Sequence, residues 1–322
     1  MTRWLSDSAL ERLREAADGP DLEGTRYRRV GKLGQGGMGS VFCVEDTVLA
    51  RKVALKVISV ADPDGGSARL EQEARVMARL EHPGIIPVHD AGTLPDGRPY
   101  YTMKLVQGER LDEHIRDLSL ADRLRLFLRI SDAVAFAHAH DVLHRDLKPG
   151  NVMVGAFGEV LVMDWGLSKL LDSLDHAASI EDSGTGSAPA ARGSGHGTVL
   201  GTPGYMAPEQ RRGDESLDRR ADIYSLGAVL QFLLADVSAR RATRPLAAIC
   251  RRAMAAERSE RYQTVPELSN DVAHFLDGLA VVAYPEGPLA KAWRWIARNR
   301  VWILLLLAYV VTRTLLIIFR PR

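Results

Sequence analysis

The stretch His144-Arg145-Asp146-Leu147-Lys148-Pro149-Gly150-Asn151 gathers a carboxylate, an ammonium and a carboxamide that one short loop could aim at a single group. Asp146 is a candidate base, Lys148 a candidate cation for phosphate oxygens, and Asn151 a candidate oxygen ligand for a metal. The trio suits transfer of a phosphoryl group, a reaction in which positioning and neutralised charge supply most of the catalysis. Read alone, the loop could be a charged surface turn, since His, Asp, Lys and Asn are ordinary turn residues. What raises it is company at suitable distances. Upstream lie Gly34-Gln35-Gly36-Gly37-Met38-Gly39-Ser40-Val41 and Val53-Ala54-Leu55-Lys56; downstream lie Asp164-Trp165-Gly166 and Ala207-Pro208-Glu209.

These residues need elements to hold them. Glycines let backbone N–H groups approach phosphate oxygens with no side chain between. The glycine pattern is weak by itself, because dinucleotide-binding turns and plain hairpins use it too. Here two runs that read as strands flank it, Arg28 to Leu33 and Ser40 to Val44, and no helix opens after the last glycine. That argues against a dinucleotide turn. Lys52 to Val57 alternates, with Val53, Leu55 and Val57 on one face and Ala54 and Lys56 on the other. An apolar run, Val160-Leu161-Val162-Met163, leads into Asp164. From Tyr27 to Gln107 the pattern is short β-rich runs with one predicted helix, Ser67 to Leu80. From Leu111 to Leu279 helical periodicity dominates. A stretch from Ser173 to Thr198, rich in Ser, Gly and Ala, interrupts that half and is expected to be mobile.

In this order the motifs resemble the signature set of the protein kinases, specifically the Hanks-type serine/threonine kinases widespread in bacteria, from Tyr27 to Leu279. The resemblance implies an α+β, bilobal kinase fold with a β-rich N-lobe and a helical C-lobe. It implies transfer of the γ-phosphoryl group of ATP, with Mg²⁺, to Ser or Thr hydroxyls of protein substrates. Asp146 would accept the hydroxyl proton, Lys148 would neutralise the γ-phosphate, and Asn151 and Asp164 would hold metal. Lysine two places after the base resembles serine/threonine rather than tyrosine kinases. Leu33, Gly34, Gly36, Gly39, Val41, Ala54, Met103, Lys104, Val106 and Met153 would surround the nucleotide. Met103 would stand at the back of the adenine pocket, backbone groups of Lys104 and Val106 would reach the base, and Met153 would floor it.

Lys56 would reach the α- and β-phosphates and pair with a helix glutamate. Glu73 is preferred over Glu71, because it borders the apolar face made by Leu70, Ala74, Met77 and Leu80. Trp165 stands where the family usually has Phe, which bears on regulation more than on chemistry. Thr202 would bond near Asp146 and Lys148. Glu209 is expected to pair with Arg261, and Asp222 to cap the catalytic loop. Arg145 beside Asp146 implies control by a phosphate on the activation segment, where Ser194 and Thr198, then Ser179, Ser183, Thr185 and Ser187, are candidate acceptors.

Composition bounds the rest. A chain of 322 residues allows one large bilobal domain and an appendage. A net charge of +1 gives no global pull toward nucleic acid, and no such partner is expected. Two cysteines, Cys43 and Cys250, make no disulfide framework and point to a reducing cytosol. Cys43, in an apolar strand pattern, reads as a small core side chain. Residues 1–26 form an N-terminal extension, with a short helix predicted from the capping box at Ser8-Ala9-Leu10-Glu11 and no signal-peptide core. Residues 27–279 are expected to form the kinase-like domain, 280–300 a basic juxtamembrane segment and 301–319 a transmembrane helix.

At 1.5 Å per residue that last segment spans about 28 Å, close to a hydrocarbon core of about 30 Å. Arg313 is the objection, and its place past the midpoint lets it snorkel outward. Lys291, Arg294, Arg298 and Arg300 precede the segment, with Trp293, Trp295 and Trp302 as interfacial anchors. A single-pass protein with a cytoplasmic kinase-like part is expected. With three residues beyond Phe319, no domain on the far side of the membrane is expected, and a signal would come through a partner or a homodimer of the last helix.

One departure from the family is large. Only Ala235 to Pro245 separate Phe232-Leu233-Leu234 from the next predicted helix, Leu246 to Ala256, where relatives insert a helix used for docking. The alternative reading is therefore a membrane-bound pseudokinase scaffold. Its signature would be loss of Lys56, Asp146, Asn151 or Asp164, and all four are present.

Overall fold

The structure is a computed structural model of the chain, and it describes residues 19–36, 39–58, 77–115, 118–165, 204–214, 216–235, 244–285, 287, 295–296 and 299–318. Among the described residues, eight strands divide into two sheets. β1 (Tyr27–Gly36), β2 (Gly39–Asp46), β3 (Arg51–Ile58), β4 (Val88–Thr93) and β5 (Pro99–Lys104) form an antiparallel sheet of order β1-β2-β3-β5-β4. β6 (Gly108–Arg110), β7 (Val152–Gly155) and β8 (Val160–Val162) form a second, three-stranded antiparallel sheet.

Strand periodicity sorts the first sheet into two faces. The register opposes Val41 to Lys56, Cys43 to Ala54, Lys56 to Tyr101 and Ala54 to Met103. Those six residues therefore share one face, and Phe42, Val44, Val53, Leu55 and Val57 share the other. The second set closes a core with Tyr27, Leu94 and Tyr100. The first set supplies Ala54, Met103 and Tyr101 to a separate buried cluster with Ile86, flanked by Val41, Val106 and Met163. Lys56 is thus on the inner, not the solvated, side of its strand. Pairing of β1 with β2 runs to Gly36 opposite Gly39 and slips twice, between Arg29 and Gly31 and between Lys32 and Gly34. Such irregularities bend and twist the flank of a hairpin.

The helical part is built from α1 (Leu111–His114), α2 (Leu120–Ala139), α3 (Pro208–Arg211), α4 (Arg220–Leu233), α5 (Arg244–Ala253) and α6 (Val265–Leu276), followed by α7 (Arg300–Ile318). Ser119 starts α2 by accepting the Asp122 N–H at 3.2 Å. Leu124, Phe127, Ile130, Val134 and Ala137 recur at helical spacing and are fully buried. They join Ile223, Leu226 and Leu230 of α4 and Leu268 and Val272 of α6 in one core. Each such large side chain contributes about 1.5–3 kcal/mol by leaving water. Gly227 of α4 is required by a close approach: a Cβ there would stand 2.7 Å from the Ala253 Cβ and 2.8 Å from the Met254 Cγ.

The sheet and the helical part meet at β8. Val162 N–H donates to Gly84 O at 2.9 Å, and Ile86 N–H donates to Val162 O at 3.2 Å. The end of β8, where Asp164 follows, is thereby tied to the entry of β4. The described helix after α4 is Arg244–Ala253 rather than 246–256. Met254 and Ala255 still bond to Cys250 O and Arg252 O, so the last turn tightens before the chain leaves. Packing continues past Leu279. Asp271 accepts Val282 N–H at 2.7 Å, Ala283 N–H at 3.0 Å and the Tyr262 hydroxyl at 2.7 Å. Among the residues searched, no helix is long and apolar enough to cross a membrane; the side chains of α7 are described only for 301–314.

Candidate active site

Asp222, the third residue of α4, builds the base of the site. One carboxylate oxygen accepts the His144 N–H at 2.8 Å and the His138 Nε2–H at 2.8 Å, and the other accepts the Arg145 N–H at 2.8 Å. Burial pushes the Asp222 carboxyl up, but His138 and the hydrogen bonds outweigh it and the net shift is down, so it stays ionised. The backbone it grips is unusual: Arg145 has φ 66°, a left-handed conformation that a side chain disfavours. Gln210 of α3 holds the same residue from the other side, donating Nε2–H to Arg145 O at 2.8 Å.

His144 is fully buried, and burial lowers its basicity, so its ring is neutral. Nε2 lies 2.9 Å from Met163 O, which can only accept, while Nδ1 receives the Asp146 N–H at 3.3 Å. Those partners assign the Nε2–H tautomer. The ring connects the catalytic loop to the residue before Asp164.

Within the loop, Lys148 donates to Asp146 Oδ2 at 2.7 Å. Asn151 Nδ2 donates to Asp146 O at 2.7 Å and to Oδ2 at 3.1 Å. Because the Asn151 amide nitrogen faces Asp146, its oxygen points the other way and can serve a cation. Asp146 and Lys148 keep access to solvent, with side chains 22% and 27% exposed. A reacting hydroxyl can therefore reach the carboxylate.

Across from the loop, Asp164 follows β8 at φ 57°. Its Oδ1 accepts Lys56 Nζ at 2.5 Å and the Tyr101 hydroxyl at 3.4 Å. Burial raises the Asp164 carboxyl, but Lys56 more than offsets this and its net shift is down. Burial and the neighbouring Asp164 hold the Tyr101 phenol well above its usual range, so it remains a donor. Trp165 is 1% exposed; its indole N–H donates to Val162 O at 3.0 Å, and its ring centroid lies 4.8 Å from that of His144. Asn151 and Asp164 offer hard oxygen ligands on facing strand ends, linked by the Met163 N–H bond to Asn151 O at 2.8 Å. Two such ligands suit a Mg²⁺ that completes its shell with phosphate oxygens and water.

Most expected residues fall together. Val41, Ala54, Met103 and Val106 line the buried cluster behind the cleft. Leu33 stands 52% exposed on β1, Lys104 ends β5, and Met153 is half-buried on β7 beside Leu161. Gly34, Gly36 and Gly39 lie at the hairpin end of β1 and β2. Glu209 and Arg261 pair as expected: the guanidinium meets both carboxylate oxygens, at 2.7 and 2.8 Å, with both side chains nearly inaccessible. Lys56 pairs with Asp164; Glu73, its expected partner, lies outside the described residues, as do Thr198, Thr202 and the other phosphate acceptors. The Arg145 guanidinium has no ion-pair partner among the described residues. Tyr101, His138 and Gln210 were not singled out from the sequence. The alternation that places Met103 in the cleft also places Tyr101 there, which is the signal that could have found it.

The comparisons agree with this geometry. The family model described as protein kinase domain matches residues 27–286. The chain is 33% identical over 307 residues to the serine/threonine-protein kinase PknD of Protochlamydia amoebophila, covering 81% of this chain and 31% of that protein. It is 33% identical over 316 residues to the probable serine/threonine-protein kinase PknB of Bifidobacterium longum, covering 86% and 44%. The chain thus spans less than half of the length of each of these relatives. The crystal structure of the M. tuberculosis PknI kinase domain superimposes with a TM-score of 0.59 at 25% identity, covering 79% of this chain and 96% of that one. The chain belongs to the protein kinase domain family, among the Hanks-type serine/threonine kinases of bacteria.

Proposed function

We propose that this chain transfers the γ-phosphoryl group of ATP to Ser or Thr hydroxyls of proteins, itself included, while tethered to a membrane by its last helix. The observation that carries the catalytic part is the pairing of two held carboxylates. Asp146 is oriented by Lys148 and Asn151 on one side of the cleft, and Asp164 is held by Lys56 on the other. Asp146 would take the proton of the attacking hydroxyl, and Lys148 would follow the charge that develops on the transferred group. Asn151 and Asp164 would hold Mg²⁺, whose contribution is to neutralise and align the phosphates. Lys56 would exchange its carboxylate partner for phosphate oxygens.

Membrane tethering is supported by the surface of α7. Val301, Trp302, Leu304, Leu305, Leu306, Leu307, Val310 and Val311 are each 50% exposed or more, and consecutive positions cover every side of a helix. Thr312 and Thr314 satisfy their hydroxyls inside the helix, on Ala308 O and Val310 O, each at 2.8 Å. Both features suit hydrocarbon rather than water. The test is incorporation of labelled phosphate by the full chain in membranes with ATP and Mg²⁺, beside Lys56→Met. Label on Ser or Thr that vanishes in the variant supports the kinase; nucleotide binding without any transfer, to itself or to added protein, supports the scaffold.

A further inference from the structure

We propose that Tyr101 is a positioning residue for Asp164, the carboxylate assigned above to the metal; the inference rests on that assignment. Tyr101 lies on β5, directly opposite Lys56 of β3, and is 2% exposed. Its ring centroid is 5.9 Å from Lys56 Nζ, and its hydroxyl reaches Asp164 Oδ1 at 3.4 Å. The same oxygen takes Lys56 at 2.5 Å. At 3.4 Å the phenol makes a long bond, because the lysine holds the oxygen more closely. Once phosphate oxygens draw Lys56 away, Oδ1 would lose its main donor. Tyr101 is the neighbour that can replace it: a rigid ring on a sheet, with one donor aimed at that atom.

Asp164 needs such a hold. Among the described residues its Oδ1 is hydrogen-bonded only by Lys56 and Tyr101, so once the lysine is drawn away the hold on the carboxylate rests on the hydroxyl. A hydroxyl that fixes Oδ1 leaves Oδ2 turned to the cleft. Without it, the carboxylate would rotate among orientations, and only some would meet a cation. The hydroxyl is thus predicted to influence metal binding more than nucleotide binding.

The test is titration of the full chain with Mn²⁺, read by electron paramagnetic resonance, in the presence of a non-hydrolysable ATP analogue. Tyr101→Phe removes one oxygen and keeps the ring. Half-saturating Mn²⁺ should rise by about tenfold, the lower end of what one hydrogen bond to a charged group is worth. Analogue affinity at saturating Mn²⁺ and the melting temperature of the unliganded chain should stay close to wild type. Tyr101→Met, flexible and without a hydroxyl, should shift the metal titration in the same direction. An unchanged Mn²⁺ titration with a lowered melting temperature would make the hydroxyl a core contact only and overturn the proposal. So would weaker analogue binding with an unchanged metal requirement, which would assign Tyr101 to Lys56. Wild-type chain that binds no Mn²⁺ with the analogue would instead overturn the metal assignment itself.

Discussion

At the scale of single residues, the chemistry is carried by atoms whose roles follow from what holds them. Asp146 Oδ2 takes both Lys148 and Asn151. Replacing that oxygen with an amide nitrogen keeps the shape but ends proton acceptance and turns a donor toward two donors. Asp146→Asn should therefore lower kcat by about 10²–10⁴-fold, the usual worth of a placed base, and leave nucleotide affinity near wild type. Steady-state phosphorylation beside analogue binding checks this; equal losses in both would mean that the loop, not the base, was damaged. Asp146, Lys148, Asn151 and Asp164 were legible in the sequence because each belongs to a motif of fixed spacing. Tyr101 was not, because a strand tyrosine gains meaning only when the register sets it opposite Lys56. His138 was hidden for a related reason: its partner Asp222 is 84 residues away. Trp165 shows a third case. Its substitution for Phe was visible, but that the indole N–H would find Val162 O depended on the turn the backbone makes at Asp164.

At the scale of elements, α4 is the post to which the functional loops are fastened. Its first turn holds the catalytic loop through Asp222, and the Ser225 hydroxyl donates to Tyr205 O at 2.8 Å. The chain from Tyr205 to α3 is fixed from below by Glu209 and Arg261. That pair is desolvated on both sides, and Arg261 also donates to Ala255 O, Ala256 O and Arg220 O. Removing Glu209 leaves the buried Arg261 guanidinium without its counter-ion, so Glu209→Ala should destabilise the fold by about 3–5 kcal/mol. Arg261→Ala leaves Glu209 with Arg258 at 3.5 Å and should cost less. Arg261→Lys should recover little, since an ammonium cannot reach two oxygens and three carbonyls as the guanidinium fork does. Denaturant unfolding of the three variants is the measurement; a loss near zero would mean the pair is exposed in solution. The strands and long helices were readable from period-2 and period-3.6 patterns. The packed segment around Val281 was not, because the Asp271 carboxylate, accepting the Val282 and Ala283 N–H groups, sets it rather than any periodicity.

At the scale of the whole molecule, protonation and the apolar tail govern where the fold persists. The buried His144 titrates below its ordinary value of 6.5, so the unfolded chain takes up that proton first and stability declines as pH falls from about 6.5. Asp164, Glu209 and Asp222 are depressed below ordinary values of 3.8, 4.5 and 3.8, so their stabilisation is complete at neutral pH and is lost as pH falls through the folded values. Thermal unfolding from pH 8 to 3.5 should show a plateau, a gentle decline below about 6.5 and a steep one below about 4. A flat profile down to pH 4 would contradict the neutral assignment of His144. The tail poses a different balance. The apolar side chains from Val301 to Val311 are open on every side, and no packed core among the described residues takes them up. Arg313 would cost about 2.5–3.5 kcal/mol at the centre of a bilayer, yet lies toward one end of the run where its head can reach the interface. Deleting 291–322 should therefore release the chain from membranes, while Arg313→Leu should hold it there at least as firmly as wild type through alkaline extraction. Two lysines, at Leu305 and Leu306, would place charge in the middle of the run, where snorkelling is longest. That variant should leave the membrane fraction with its kinase domain still folded. If it stays, the attachment lies outside α7, and the exposed apolar helix needs another partner.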